Sequence, residues 1–115
     1  SIASYRGLPN SSGYGPSKAA LTNFSESIYF DFKKFGVRVS IVSPGFIKTP
    51  LTDKNEFSMP FLKTPEYAAE KIFNGLVKSN SFEIHFPMGL TLTLKFLRIL
   101  PYKLYLFLVD KLVKR

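Results

Sequence analysis

Cysteine does not occur among the 115 residues, and His85 is the only histidine. A disulfide framework and a thiolate metal centre are thereby excluded, and one imidazole leaves little for zinc, so no metal site is expected. The start lacks methionine and shows none of the charged, apolar and small-residue zones of a signal peptide. Ser1-Ile2-Ala3-Ser4 reads instead as a strand end running into a loop, so Ser1 is expected to lie inside a longer reading frame, with the cytoplasm as the expected compartment. A membrane-spanning stretch of about twenty apolar residues is also missing, because Lys95, Arg98 and Lys103 interrupt the most apolar region. Repeats, low-complexity tracts and Gly-rich or aromatic RNA-binding patterns are absent, and a nucleic-acid partner is not expected. What is abundant is positive charge: 16 Lys and Arg face 8 Asp and Glu, a net charge of +8. That balance suits an anionic partner such as a dinucleotide or lipid head groups.

The order of elements is legible from periodicity. From Tyr14 to Phe35 the residues Leu21, Phe24, Ile28, Phe32 and Phe35 form one helical stripe, and Gly36 is the expected left-handed stop. Val37 to Val42 is short, β-branched and nearly continuous in hydrophobicity, as a strand buried in a parallel sheet would be. Pro44-Gly45 ends it and opens a loop or short lid through Lys63. Thr64 then caps a helix with Pro65 at its first position, and Ala69, Ile72, Phe73 and Leu76 are its expected buried face. Phe82 to Phe86 alternates like a partly covered strand closed by Pro87. Helices alternating with strands predict a layered α/β sheet with parallel strands. After Gly89 the composition shifts to Leu, Phe, Tyr and Lys, with Pro101 dividing two amphipathic helical stretches. The chain is therefore read as a catalytic unit over 1–89 and a helical tail over 90–115. The tail is expected either to pack on the unit or a second subunit, or to lie on a membrane surface.

Chemistry is sought among tyrosine–lysine pairs four residues apart, where a phenol and an ammonium share a helix face. Three such pairs occur: Tyr14/Lys18, Tyr29/Lys33 and Tyr67/Lys71. In an open parallel sheet, ligands bind outside the carboxyl ends of the strands. Ser1, at a strand exit, Tyr14 and Lys18, opening the next helix, and Pro44 to Thr49, leaving the following strand, all fall on that edge. The other two pairs lie farther along their helices.

Ser1 stands thirteen residues before Tyr14, Lys18 continues as Ser17-Lys18-Ala19-Ala20, and Pro44-Gly45-Phe46-Ile47-Lys48-Thr49 follows the next strand. In these features, over residues 1 to about 86, the sequence resembles the short-chain dehydrogenase/reductase family. The resemblance implies the C-terminal part of a Rossmann-type doubly wound parallel sheet. It also implies hydride transfer between NAD or NADP and a small-molecule carbonyl or alcohol substrate. Tyr14 would be the general acid and base, Lys18 would favour its phenolate and bind the nicotinamide ribose, and Ser1 would hold the substrate oxygen. Pro44 and Gly45 would flank the nicotinamide, with Ile47 and Thr49 gripping its carboxamide. Phe57, Met59 and Phe61 fall where the family's substrate-covering loop lies. The glycine-rich pyrophosphate turn, the residue that separates NAD from NADP and the relay asparagine are expected upstream of Ser1. The polypeptide as written is therefore not expected to be active alone, and the full-length protein is expected to be a homo-oligomer. The competing reading is a catalytically silent relative that keeps the fold as an interaction or membrane-surface protein; an intact Ser1, Tyr14, Lys18 and Thr49 speak against it.

Overall fold

A computed structural model describes residues 1–54 and 59–112. Four helices, α1 (Tyr14–Lys33), α2 (Pro65–Lys78), α3 (Met88–Arg98) and α4 (Tyr102–Leu112), accompany two strands, β1 (Ile41–Pro44) and β2 (Glu83–Phe86). Two single-turn 3-10 segments, Ile2–Ser4 and Thr52–Lys54, complete the order. The strands run parallel, with Ile41 opposite Glu83 and Pro44 opposite Phe86, and α2 forms the crossover between them. Parallel strands need such a crossover because both leave the sheet at the same end.

Local signals act where the sequence places them. The Thr64 hydroxyl accepts from the Tyr67 amide, and Pro65 occupies the first turn, where its missing N–H costs nothing. Gly36 has φ +70°, a conformation that favours glycine at a helix stop. Pro101 separates α3 from α4.

Packing departs from the periodic reading in three places. The first strand begins at Ile41 rather than Val37: the Ile41 amide pairs with the Phe82 carbonyl, and no described segment continues the ladder beside residues 37–40. The buried row of α2 is rotated from the expected face. Ala68 is buried and Ile72 partly so, whereas Phe73, Leu76 and Ala69 are exposed. Gly75 dictates this rotation, since a Cβ there would stand 2.7 Å from Ile84 Cγ1, so the helix can only meet β2 along the Ala68–Ile72–Gly75 line. Third, the α1 stripe stays largely uncovered: Leu21, Phe24, Phe32 and Phe35 are exposed. A two-stranded sheet offers too little surface to bury it.

Two clusters hold the described residues together. Ala68, Ile84 and Phe86 form the first, with Val42, Ile47, Tyr67 and Ile72 against them and the Tyr67 ring edge-on to Phe86. The second joins the N-terminal segment to the tail. Ile2, Leu90, Tyr105 and Val109 are buried, and Ile2, Tyr5, Leu8, Leu94, Leu97 and Tyr105 border a gap of only about 10 Å³. Helix α3 begins at Met88 and packs on β2, so the tail continues directly from the sheet. Among the described residues no helix is long and apolar enough to cross a membrane.

Candidate active site

The turn that starts the chain is closed by its own first residue. Ser1 Oγ accepts from the Ala3 amide at 3.2 Å, which leaves the hydroxyl hydrogen to be donated elsewhere. The Ser1 nitrogen lies 3.4 Å from the Val42 carbonyl, which sets the turn beside the middle of β1. The segment Ile2–Ser4 packs on α1 near Gly15, where a Cβ would stand 3.1 Å from Ser11 Oγ and 3.6 Å from the Ala3 carbonyl oxygen. That close approach seats the start of α1, which carries Tyr14 and Lys18, on the Ile2–Ser4 turn.

Within the pair, the Lys18 ammonium is 5.4 Å from the Tyr14 ring centre. The corresponding distances are 5.9 Å for Lys33 over Tyr29 and 5.5 Å for Lys71 over Tyr67. The spacing alone therefore produces the same pair geometry three times, and surroundings separate them. Tyr14 is 56% exposed at the end of α1 nearest Ser1, Tyr29 stands edge-on to Phe82, and Tyr67 is packed on Phe86.

Beyond β1, Gly45 donates to the Phe86 carbonyl at 2.8 Å, and a Cβ on it would stand 2.8 Å from Leu90 and 3.0 Å from Pro87. Glycine is required there by the tail's close approach. Ile47 forms a parallel bridge with Lys63, and the Lys48 amide and Lys63 carbonyl meet at 2.7 Å, tying together the two ends of the intervening loop. The Thr49 amide donates to Thr52 Oγ1 at 2.8 Å, and that hydroxyl donates to the Ile47 carbonyl at 2.7 Å. Thr52 thus ties Ile47 to Thr49. It was not among the residues singled out from the sequence, although the Thr-x-x-Thr spacing of a hydroxyl-closed turn was there to find it.

Of the loop residues, Met59 is partly buried. Phe61 takes the left-handed conformation at φ +60° and lays its ring 3.3 Å from where a Gly89 Cβ would be. Phe57 lies outside the described residues. No group of three or more His, Cys, Asp or Glu side chains could hold a metal ion among the described residues.

Sequence reasoning also missed a polar cluster between the sheet and α3. Glu83 accepts from Lys95 through one carboxylate oxygen and from Ser43 Oγ at 3.2 Å through the other. Burial alone would raise the Glu83 pKa, but Lys95, the Tyr5 hydroxyl and His85 outweigh it and hold the group below the ordinary carboxylate value. Burial, followed by the proximity of Glu83, pushes the Tyr5 phenol upward. His85 Nδ1 lies 2.7 Å from Thr91 Oγ1, which itself donates to the Pro87 carbonyl. With that single hydroxyl hydrogen spent, Nδ1 is the donor of the pair. Burial and Lys95 lower the His85 pKa.

The chemistry of the donor set fits the ribose and nicotinamide end of a dinucleotide: an ammonium for vicinal hydroxyls, and a hydroxyl-bearing turn for a carboxamide. Comparison with known proteins places the chain in a family. Residues 1–80 match the short chain dehydrogenase family. An uncharacterized oxidoreductase of Myxococcus xanthus is 39% identical over 91% of this chain and 41% of its own length. Mouse epidermal retinol dehydrogenase 2 is 32% identical over 97% of this chain and 38% of its own. Human retinol dehydrogenase 5 is 52% identical over a shorter stretch, 38% of this chain and 14% of its own. The chain thus spans about two fifths of the length of the first of these relatives. No solved structure matches. The chain belongs to the short-chain dehydrogenase family of oxidoreductases, whose general fold is the Rossmann-like α/β sheet.

Proposed function

We propose that this chain carries the proton-transfer and nicotinamide-facing part of an enzyme that moves hydride between NAD or NADP and a carbonyl or alcohol. The reading is supported above all by one observation: the start of α1, which carries the exposed Tyr14 with Lys18 beside its ring, packs closely on the Ser1–Ser4 turn, and that turn touches β1 at Val42. Bound cofactor supplies or accepts the hydride. Every other task falls to side chains and backbone of this chain.

During reduction the Tyr14 hydroxyl donates its proton to the carbonyl oxygen, and during oxidation the phenolate takes a proton from the alcohol. A free phenol keeps its proton to about pH 10, so the cation of Lys18 beside it is needed for work near neutrality. The Ser1 hydroxyl hydrogen, unspent within its own turn, donates to the same substrate oxygen and fixes its orientation. Lys18 also binds ribose hydroxyls, and Pro44, Gly45, Ile47 and Thr49 form the wall and grip for the nicotinamide.

The test is oxidation of NADH and NADPH by the full-length protein against a panel of aldehydes and ketones. Turnover dependent on both carbonyl and cofactor is expected. Absence of turnover, together with no change in cofactor fluorescence on mixing, would leave a silent relative as the better reading.

Thr52 supplies a second check. Replacing it with valine deletes the hydroxyl that joins Ile47 to Thr49, a loss of about 1–2 kcal/mol in turn order. The expected result in steady-state kinetics is a rise of roughly 5- to 30-fold in the cofactor KM, the affinity equivalent of that energy, with kcat changed less. Thr52→Ser should recover most of it, and an unchanged cofactor KM in Thr52→Val would remove the role.

A further inference from the structure

Arg6 follows the turn that begins at Ser1, and its guanidinium reaches across more than ninety residues of chain. Nη1 faces three carbonyl oxygens at the end of α3: Leu97 at 3.2 Å, Arg98 at 3.0 Å and Leu100 at 2.5 Å. Those carbonyls belong to the end of a helix, where acceptors lack intrahelical partners and the dipole is negative. Above the same guanidinium stand two rings of α4, with centres 4.8 Å (Tyr102) and 4.1 Å (Tyr105) from Arg6 Cζ. Tyr105 is buried, and its hydroxyl donates to the carbonyl of Gly7, the next residue along, at 2.5 Å. One short segment is thus seized by both tail helices.

That segment is stiff back to Ser1. The Ser4 amide and Ser4 Oγ both donate to the Ser1 carbonyl, at 3.1 and 2.8 Å, and the Tyr5 amide donates to the Ile2 carbonyl at 3.2 Å. Ser1 to Tyr5 is one internally bonded turn whose far end is fixed at Arg6. Ile2, at its centre, is buried beside Leu94 and Leu97 of α3. A displacement at Arg6 therefore moves the Ser1 hydroxyl.

We infer that Arg6 is a positioning residue for the reaction: by locking the Ser1 turn to the junction of α3 and α4, it makes the tail set where the Ser1 hydroxyl stands. The inference rests on the reading of Ser1 as the group that orients the substrate oxygen. Lysine cannot replace Arg6. All three carbonyls are met by the one nitrogen Nη1, so the difference lies in the planar guanidinium stacked near Tyr102 and Tyr105, which an ammonium lacks. An angstrom of misplacement at a reacting group costs up to about 10²-fold in rate, which sets the scale expected.

In the full-length enzyme, Arg6→Ala is expected to lower kcat for carbonyl reduction by roughly 10- to 100-fold while the cofactor KM moves less than about twofold. Arg6→Lys should behave like Arg6→Ala. An open groove of about 580 Å³ runs alongside Arg6, so a free guanidinium ion can enter. Millimolar guanidinium should restore kcat to Arg6→Ala, and methylammonium should not. If Arg6→Ala fails to fold, Tyr105→Phe keeps the ring and deletes only the bond to Gly7; a kcat roughly 3- to 10-fold lower at constant cofactor KM is expected, about one hydrogen bond's worth. Full kcat in Arg6→Ala, or in Tyr105→Phe where that variant must stand in, would overturn the inference. Full activity in Arg6→Lys, or loss confined to cofactor KM, would do so equally. Tyr14→Phe, run beside them, separates the two levels: if it stays active the reading of the site fails, whereas an inactive Tyr14→Phe with a fully active Arg6→Ala sinks the role of Arg6 alone.

Discussion

Substitution of Tyr14 by phenylalanine should abolish nearly all carbonyl-dependent oxidation of reduced nicotinamide by the full-length enzyme. The ring stays and the phenolic proton goes. Positioned general acids contribute about 10²–10⁴-fold, so a fall of about 10³-fold in kcat, or ~4 kcal/mol of barrier, is expected. Cofactor affinity should change little, because the Lys18 ammonium and the Pro44 to Thr49 turn remain. The informative comparison is with Tyr29→Phe and Tyr67→Phe. Both residues have a lysine four positions on, at nearly the same distance from the ring as Lys18 is from Tyr14. If spacing alone made an acid–base device, all three would matter. The surroundings argue otherwise: only Tyr14 stands exposed at the helix end that meets the Ser1 turn, while Tyr29 and Tyr67 are packed edge-on against Phe82 and Phe86. Those two variants should keep kcat within about twofold, since phenylalanine preserves the ring contact that accounts for most of their packing. Comparable activity in Tyr14→Phe and wild type, measured by cofactor oxidation, would refute the proton-donor role.

The order of helices and strands was legible because its signals are local. Thr64 and Pro65 start a helix and Gly36 stops one through backbone chemistry that extends over three or four residues, and Pro101 breaks the tail for the same reason. The pairing of Lys18 with the Tyr14 ring was legible because a spacing of four on a helix fixes it, whereas the strand end expected at Ser1 is instead the cap of a 3-10 turn. The exposure of Phe24 and Phe32 was not legible, since burial depends on how much sheet faces the stripe, and among the described residues the sheet has two strands. The face presented by α2 turned on Gly75, whose meaning is spatial: a mid-helix glycine costs about 1 kcal/mol in helix propensity, and the close approach of Ile84 is the return. Arg6 and Glu83 escaped detection altogether. Arg6 meets carbonyls over ninety residues away, and backbone acceptors have no sequence signature. Glu83 sat in a strand pattern where a polar residue reads as solvent-facing, yet the tail folds back over it.

That fold-back makes Lys95 a polar residue whose loss should cost stability. Its ammonium is paired with the Glu83 carboxylate beneath α3, with side-chain exposures of 24% and 17%. Breaking a fully buried pair by deleting one partner costs about 3–5 kcal/mol, and the residual exposure here reduces the figure to about 2–3 kcal/mol. Two to four degrees per kcal/mol for a protein of about 150–250 residues puts the expected fall in Tm for Lys95→Met at roughly 4–12 °C. The two partners are not equivalent. Glu83→Gln leaves an ammonium on a long stem that can swing into water, whereas Lys95→Met leaves a carboxylate fixed on a strand between Ser43 and Tyr5. Lys95→Met should therefore be the more damaging, and Glu83→Gln with Lys95→Met together should recover most of the loss. The pH dependence fixes the sign. In the wild type the Glu83 pKa is lowered on folding, so the pair's contribution is complete above the unfolded glutamate value of about 4.3 and disappears as pH falls through the lower folded value. In Lys95→Met the unpaired, buried carboxyl is pushed the other way, and protonation relieves it. The gap in Tm between wild type and Lys95→Met should accordingly be widest near neutrality and narrow steadily toward pH 4. Calorimetry across that range decides the matter: a gap that stays constant, or no gap at pH 7, would show that the tail is held to the sheet by its apolar contacts alone and that the Glu83–Lys95 pair is incidental.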